Sequence, residues 1–470
     1  MEKDRLDPGL LKLAGILVLG AMAPLLDSTI VNVALRALGR ELHASVATVQ
    51  WVSTGYLLAL ALAVPVAGWT VERYGARRMW LAALGLFLTG SVLSGLAWDA
   101  GALVAFRAVQ GFGGGLMLPI LQTVLMRAAG GRGLGRLMAV VTLPALAGPI
   151  FGPVLGGLIV GHLSWRWIFF VNVPICAAAI VAARRGLPAD PPGTRPRLDG
   201  IGLALLSPGL AALVYGLSRV GDLGGFGHAE VLVPLLGGAA LVAGFARHAV
   251  RTSAPLIDLR LFADRGFAAA TASLALTGLG LFSSMLLLPL YFQQVRGASV
   301  IMAGLLLAPQ GLGSLLARAA GAAADRIGPR PVLLAAIALT ALGTVPFALA
   351  GPVSGGLLAA ALVLRGLGLS SANLAVMVGA YQGIDRARVP HASGITRIAQ
   401  QVGGSFGTAI LAVVLERQLA GHPAGVAYAH TFTWSLALTV IAVVPALLMP
   451  RRAVHRDHNG LSSGGVQTGR

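Results

Sequence analysis

Long apolar runs separated by short polar stretches follow one another along the whole chain. Fourteen runs stand out, at approximately 13–38, 46–68, 79–98, 101–126, 137–161, 166–184, 200–219, 230–249, 266–292, 299–320, 332–350, 354–379, 391–415 and 431–449. Most come close to the roughly 20 apolar residues that cross the hydrocarbon of a bilayer. An open strand cannot span lipid, because its edge N–H and C=O groups would stay unpaired. Every run is therefore predicted as a helix, and the chain as an all-α integral membrane protein with fourteen transmembrane helices.

One polar position breaks the pattern early. Asp27 lies inside the first run, three residues after Pro24, at a depth where a carboxylate costs a few kcal/mol or more. An ionisable group there reads as a functional site; the competing reading is an Asp near a helix end, hydrogen-bonded to Ser28 or Thr29. The remaining acids within the runs, Asp99, Asp199, Glu230 and Glu416, lie near run ends. Asp27 and Asn32 are five residues apart, about 140° around an ideal helix, so they share a face only if the helix bends, and Pro24 supplies a reason for a bend.

Composition changes the picture little and charge changes it more. The chain is 56% hydrophobic and 11% charged, against about 25% charged in an average soluble domain. The net charge of +18 would suggest nucleic acid in a soluble protein. Here the basic residues punctuate apolar runs, and no basic stretch is interleaved with stacking aromatics. With the N-terminus inside, 26 of the 35 Lys and Arg fall on inside segments, 6 on outside segments, and Arg107, Arg318 and Arg365 within helices. That bias follows the positive-inside rule and places both termini in the cytoplasm. The first run is too long for a cleaved signal. The lone Cys176 excludes an intramolecular disulfide, and no spacing of His or Cys suggests a metal site.

The chain repeats itself. Gly68-Trp-Thr-Val-Glu72-Arg73-Tyr-Gly75-Ala-Arg77 and Gly321-Ala-Ala-Ala-Asp325-Arg326-Ile-Gly328-Pro-Arg330 both read G-x3-acid-R-x-G-x-R, 253 residues apart. Arg107 has a counterpart in Arg365, 258 residues later. Two parallel six-helix repeats fit this spacing, an architecture that places its binding site between the repeats. The expected organisation is a bundle over 1–185, a linker and two additional helices over 186–250, a second bundle over 251–450, and a disordered tail over 451–470.

Further motifs carry chemistry. In Arg107-Ala-Val-Gln110-Gly111-Phe-Gly113-Gly114-Gly115, positions 107, 110, 111 and 114 form one helix face. In Gly148-Pro149-Ile-Phe-Gly152-Pro153-Val-Leu-Gly156-Gly157, glycines recur every four residues, a close-packing ladder. Asp27-Ser-Thr-Ile-Val-Asn32-Val-Ala-Leu35 lies in the first helix, and Ser164-Trp-Arg-Trp-Ile-Phe-Phe-Val-Asn172-Val-Pro174 opens the sixth. With the inside loop Gly68 to Arg78, these motifs in this order resemble the major facilitator superfamily, and within it the fourteen-helix drug:proton antiporters. The resemblance implies that the loop gates the cytoplasmic side through Gly68, Glu72, Arg73, Gly75, Arg77 and Arg78, with Asp325 and Arg326 in its second copy. It implies a conformational role for Gly148, Pro149, Gly152, Pro153 and Gly156, which marks exporters, and proton coupling through Asp27 and Arg107. The family's usual Asp is Glu72 here, and the Pro that usually closes the first-helix motif is Arg36. Arg36 at the outer mouth would disfavour cationic substrates.

Candidate substrate contacts are Asn32, Gln50, Trp51, Tyr56, Gln110, Gln122, Tyr291, Gln294, Asn373 and Gln400. No G-x4-G-K-[ST] loop is present to use ATP, and no Ser/His/Asp set suggests hydrolysis. The chain is expected not to be an enzyme and to need no cofactor. Its expected partners are protons, a small-molecule substrate and the lipid bilayer, with no nucleic acid, and it is expected to act as a monomer. The expected function is proton-coupled export of small apolar or amphipathic compounds through a bacterial plasma membrane. A nutrient importer and a non-transporting membrane sensor are the alternatives.

Overall fold

A computed structural model of the chain describes residues 7–44, 46–129, 137, 152, 155–190, 197–351, 353–382, 384–385 and 387–449. The described residues form helices and connecting turns. In chain order the helices are α1 (Pro8–Glu41), α2 (Val46–Tyr74), α3 (Ala76–Gly95), α4 (Ala100–Ala129), α5 (Trp167–Phe170), α6 (Asn172–Gly186), α7 (Gly200–Asp222), α8 (Ala229–Arg251), α9 (Arg265–Gln294), α10 (Val300–Leu306), α11 (Ala308–Leu316), α12 (Arg318–Ile327), α13 (Pro329–Thr344), α14 (Gly355–Tyr381), α15 (Val389–Gly421), α16 (Ala424–Ile441) and α17 (Val443–Leu448). Among the described residues, twelve stretches are helical, long and apolar enough to cross a membrane.

Those twelve coincide with twelve of the fourteen predicted runs. The predicted run 137–161 falls mostly outside the described residues, as do Gly148, Pro149, Pro153 and the tail 451–470. The predicted run 299–320 takes the form of three consecutive helical segments, α10 to α12, interrupted at the single residues Leu307 and Ala317, whose backbones stay in the right-handed helical region. Pro309 explains the first interruption, since it has no N–H to bond the carbonyl of Leu305 and sits instead in the first turn of α11. Pro24, Pro65, Pro119 and Pro289, by contrast, lie inside unbroken helices.

The helices pack in two groups. In the first, α4 packs against α2 and α3, and α6 against α1 and α3. In the second, α14 packs against α13 and α11, and α9 against α15 and α14. The groups meet where α15 packs against α2 and α4. Near the start of α15, Ser393 Oγ lies 2.9 Å from Thr123 Oγ1 of α4, and the backbone of Pro390 closes on Gly68 of α2. A Cβ added at Gly68 would come within 3.3 Å of the Pro390 carbonyl oxygen.

The α7–α8 hairpin lies against both α2 and α15. Ser207 donates to the carbonyl of Leu62 at 3.0 Å, Trp51 stacks on Tyr215, and Leu217, Val220 and Val231 pack on Ala409 and Val413. Asp199 ties the two ends of the hairpin to the chain that follows. It caps α7 by accepting from Gly202 N at 2.8 Å, and also accepts from His248 Nε2 at 2.8 Å and Leu256 N at 3.1 Å. Burial acts to raise its carboxyl pKa, but the hydrogen bonds from Gly202, His248 and Leu256 outweigh burial and hold it below the usual carboxylate value.

The repeated loop has the same backbone in both copies. Gly75 precedes α3 with φ +93° and ψ 153°, and Gly328 precedes α13 with φ +94° and ψ 160°. Both lie in a region that glycine enters freely and other residues rarely do. The sequence repeat is thus also a repeat of shape.

Candidate functional site

Asp27 sits in the middle of α1 with 0% of its surface exposed. The reading of Asp27 as a helix-end residue is therefore set aside. The hydroxyls of Ser28 and Thr29 donate to the carbonyls of Leu25 and Leu26, as hydroxyls inside helices do. The partners of Asp27 come from other helices. Arg107 of α4, 1% exposed, places Nη1 2.5 Å from Oδ2. Gln110 Nε2 and Asn172 Nδ2 donate to Oδ1 at 2.9 and 3.1 Å.

The surrounding shell fixes these donors. Gln110 Oε1 accepts from Arg107 Nη1 at 2.8 Å, which turns its amide nitrogen toward Asp27. Ser91 Oγ of α3 accepts from Gln110 and Asn172 at 3.1 and 2.9 Å and donates to the Phe169 carbonyl at 2.9 Å. Arg107 Nε reaches the Val52 carbonyl at 3.3 Å, and its guanidinium lies 4.0 Å over the ring of Tyr56, an arrangement that attracts a cation to the aromatic face. An acid, a base and two amides from α1, α4 and α6 thus converge on one buried point. A proton on Asp27 would remove the negative member of the pair and leave the Arg107 guanidinium without its counter-charge.

Sequence reasoning found Asp27, Arg107, Gln110 and Tyr56 but not Ser91, and it placed Asn172 only within the aromatic motif that opens the sixth helix. The signal for Asn172 was its carboxamide at the start of an apolar helix. Ser91 gave none, since a small hydroxyl is ordinary in packed membrane helices.

Comparison with known proteins agrees with this architecture. Residues 17–408 match the profile of the Major Facilitator Superfamily. The chain belongs to that superfamily. The superfamily's relatives include the multidrug resistance protein B homolog of Mycobacterium tuberculosis, 39% identical with 96% of this chain and 92% of the relative covered. The tetracenomycin C resistance and export protein of Streptomyces glaucescens is 34% identical, over 84% of this chain and 74% of its own. The solved structure of the human organic anion transporter MFSD10 superposes with a TM-score of 0.65 at 17% identity, covering 94% and 100% of the two chains. That of the proton:xylose symporter XylE bound to a sugar analogue superposes with a TM-score of 0.64 at 15% identity, covering 93% and 94%. At such identities the superpositions speak for the facilitator fold alone.

The second half holds a cluster at the matching place, and its register corrects the expected pairing of Arg107 with Arg365. A Cβ at Gly113 would come 2.6 Å from Phe87 N; one at Gly368 would come 2.6 Å from Thr340 N, 253 residues after Phe87. Likewise Gly90 faces Gln110 N at 2.5 Å and Gly343 faces Arg365 N at 2.7 Å. Arg365 therefore takes the place of Gln110, one turn from that of Arg107, and an apolar Leu362 stands where Arg107 would. Sequence identity pulled the two arginines together; helix packing separates them. Arg365 bonds Ser284 Oγ at 2.5 Å and also Thr344 Oγ1, as Gln110 bonds Asp27 and Ser91. Ser284 thus stands where Asp27 does, and Thr344 where Ser91 does.

The loop Gly68 to Arg78 is held from a side that the sequence did not disclose. Asp190 accepts from the backbone N–H groups of Arg77 and Arg78 at 2.8 and 3.1 Å, which places a carboxylate on the N-terminus of α3. Arg77 Nη2 donates to the Arg184 carbonyl at 2.6 Å, and Glu72 faces Arg127 at 4.0 Å. Arg73, Asp325 and Arg326 also make polar contacts. Gly152, in the glycine ladder, is buried, and a side chain there would run into Thr29 of α1. Gly156 is buried as well.

The expected substrate contacts divide. Asn373 and Gln400 bond each other at 3.3 Å, and Gln400 accepts from Arg397 at 3.2 Å. Arg397 lies within α15. Gln122 is half-buried on α4. Tyr291 sits in an aromatic cluster, its ring meeting Phe292, Phe347, Tyr428 and Phe432. Gln294 accepts from Tyr428 at 3.1 Å beside the same aromatic group. Gln50 is exposed at the start of α2, and Trp51 stacks on Tyr215 of the hairpin, so neither is brought to Asp27. The side chain of Asn32 lies outside the described residues.

Proposed function

We propose that this chain is a proton-coupled antiporter that exports small apolar or amphipathic compounds across a bacterial plasma membrane. Fourteen spans, two six-helix halves with the α7–α8 hairpin between them, and both termini in the cytoplasm complete the proposal. The observation that carries it is the Asp27–Arg107 pair, enclosed with Gln110 and Asn172 at the centre of the first half. The relatives named for multidrug resistance and for tetracenomycin C export support the direction and the class of cargo.

In the working cycle, Asp27 holds its ion pair with Arg107 while substrate enters from the cytoplasm. Rocking of the halves opens the site outward. A proton from outside then neutralises Asp27, loosens its hold on Arg107, substrate leaves, and Asp27 releases the proton to the cytoplasm once the site faces inward again. Asp27 is the one acid in the middle of an apolar run, which makes it the carboxylate that would carry the proton. One carboxylate also suits neutral, zwitterionic, anionic or singly cationic cargo better than dications.

Reconstituted vesicles with an imposed pH gradient test this. Asp27→Asn is expected to abolish gradient-driven efflux while preserving substrate counterflow, which needs rocking but no proton. Normal gradient-driven efflux by that variant would overturn the coupling role.

A further inference from the structure

The two halves solve the same electrostatic problem unequally. In the first half a carboxylate neutralises the buried guanidinium. In the second, Arg365 is 1% exposed, and among the described residues it forms no ion pair with an acid. Its side-chain neighbours are Ser284 and Thr344, themselves 2% and 0% exposed. Both hydroxyl protons are already committed: Ser284 donates to the Gly280 carbonyl and Thr344 to the Thr340 carbonyl. The hydroxyl oxygens therefore solvate the guanidinium but bring no negative charge. Arg365 Nε lacks an acceptor. A guanidinium does not shed its proton in a protein, and an unneutralised charge out of water is among the costliest groups a fold can hold.

We propose that the second half binds a small inorganic anion of halide size at Arg365, which does there what the Asp27 carboxylate does in the first half. The unpartnered Nε–H marks where it is held. The near-complete burial of Arg365, Ser284 and Thr344 excludes the acidic group of a drug-sized molecule and favours a monatomic ion. The anion is a fixed structural counter-charge rather than cargo, and this assignment stands whether or not Asp27 couples protons.

Chloride is the probe. The purified protein is unfolded thermally in gluconate buffer and in a chloride titration at constant ionic strength, without substrate. The wild-type chain is expected to show a saturable rise in unfolding midpoint of a few degrees, as a ligand at about 100 times its Kd produces; bromide should act like chloride. Ser284→Asp supplies a carboxylate beside Arg365, in the place that Asp27 has beside Gln110. Its midpoint is expected to be raised already in gluconate and to ignore chloride. Arg365→Gln is also expected to lose the response. A wild-type midpoint that does not move with chloride overturns the proposal. So does a Ser284→Asp chain that keeps the wild-type response, which would place the ion elsewhere, or one that fails to fold, since a carboxylate there should relieve the charge.

Discussion

At the residue scale, the partners of the Asp27–Arg107 pair are strongly interdependent. Removing one member of a buried pair strands the other and costs about 3–5 kcal/mol, whereas removing both is far milder. Asp27→Asn and Arg107→Gln should therefore each lower the denaturation midpoint clearly. The double variant should regain most of the loss while remaining inactive in gradient-driven transport; additive losses in a denaturant series would contradict mutual dependence. Asn172→Ala removes one donor to Asp27 and should cost about 1 kcal/mol and alter the pH profile of transport, with little effect on counterflow. These residues differ in how openly the sequence announces them. A charge inside an apolar run is expensive, and Asp27, Arg107 and Arg365 could be read directly for that reason. Ser91 and Asn172 are cheap in a membrane helix and gain meaning only from what faces them. Even for Arg365 the identity was legible and the register was not, because only helix packing tells which turn of α14 faces α13.

At the scale of elements, the loop before α3 depends on one conformation and one distant carboxylate. Gly75→Ala would have to keep φ +93° and would push its methyl into Asp190. A strained residue of this kind costs about 1–3 kcal/mol before the clash is added. Asp190→Ala should cost about 1 kcal/mol through loss of the cap on α3. Thermal unfolding should show Gly75→Ala to be the more damaging, and the reverse order would refute the geometry. The sequence disclosed the glycines of this loop but not Asp190, which lies more than a hundred residues away. The clasp at Asp199 predicts a pH effect. Its folded carboxyl pKa lies below the unfolded value of about 3.9, so its stabilisation is fully present above that value. It fades as pH falls through the folded one. Asp199→Asn should lower stability at neutral pH and show a shallower decline under acid than the wild type. The break of 299–320 into α10, α11 and α12 was half legible: Pro309 announces one interruption, while the one at Ala317 has no comparable residue.

At the scale of the whole molecule, apolar length was enough to read an all-helical membrane fold. How the halves touch was not legible, since Gly68, Thr123, Pro390 and Ser393 carry no charge or motif that pairs them. Those contacts make a prediction about motion. Thr123 and Ser393 hydroxyls are 2.9 Å apart across the halves, and the native Cys176 is buried on α6. A Thr123→Cys, Ser393→Cys double variant should form a disulfide under oxidation, stop transport, and recover on reduction. Uninhibited transport by the oxidised form would mean that the halves do not part there. Gly68→Leu should likewise keep the Pro390 contact from closing and slow turnover, measured as counterflow.

The α7–α8 hairpin has a consequence in the plane of the bilayer. It covers the seam between α2 and α15, bonded to one and packed on the other. A hydrophobic molecule dissolved among the lipid tails meets a wall along that flank. The protein is therefore anisotropic toward its surroundings, closed along that flank by the hairpin's contacts with both halves.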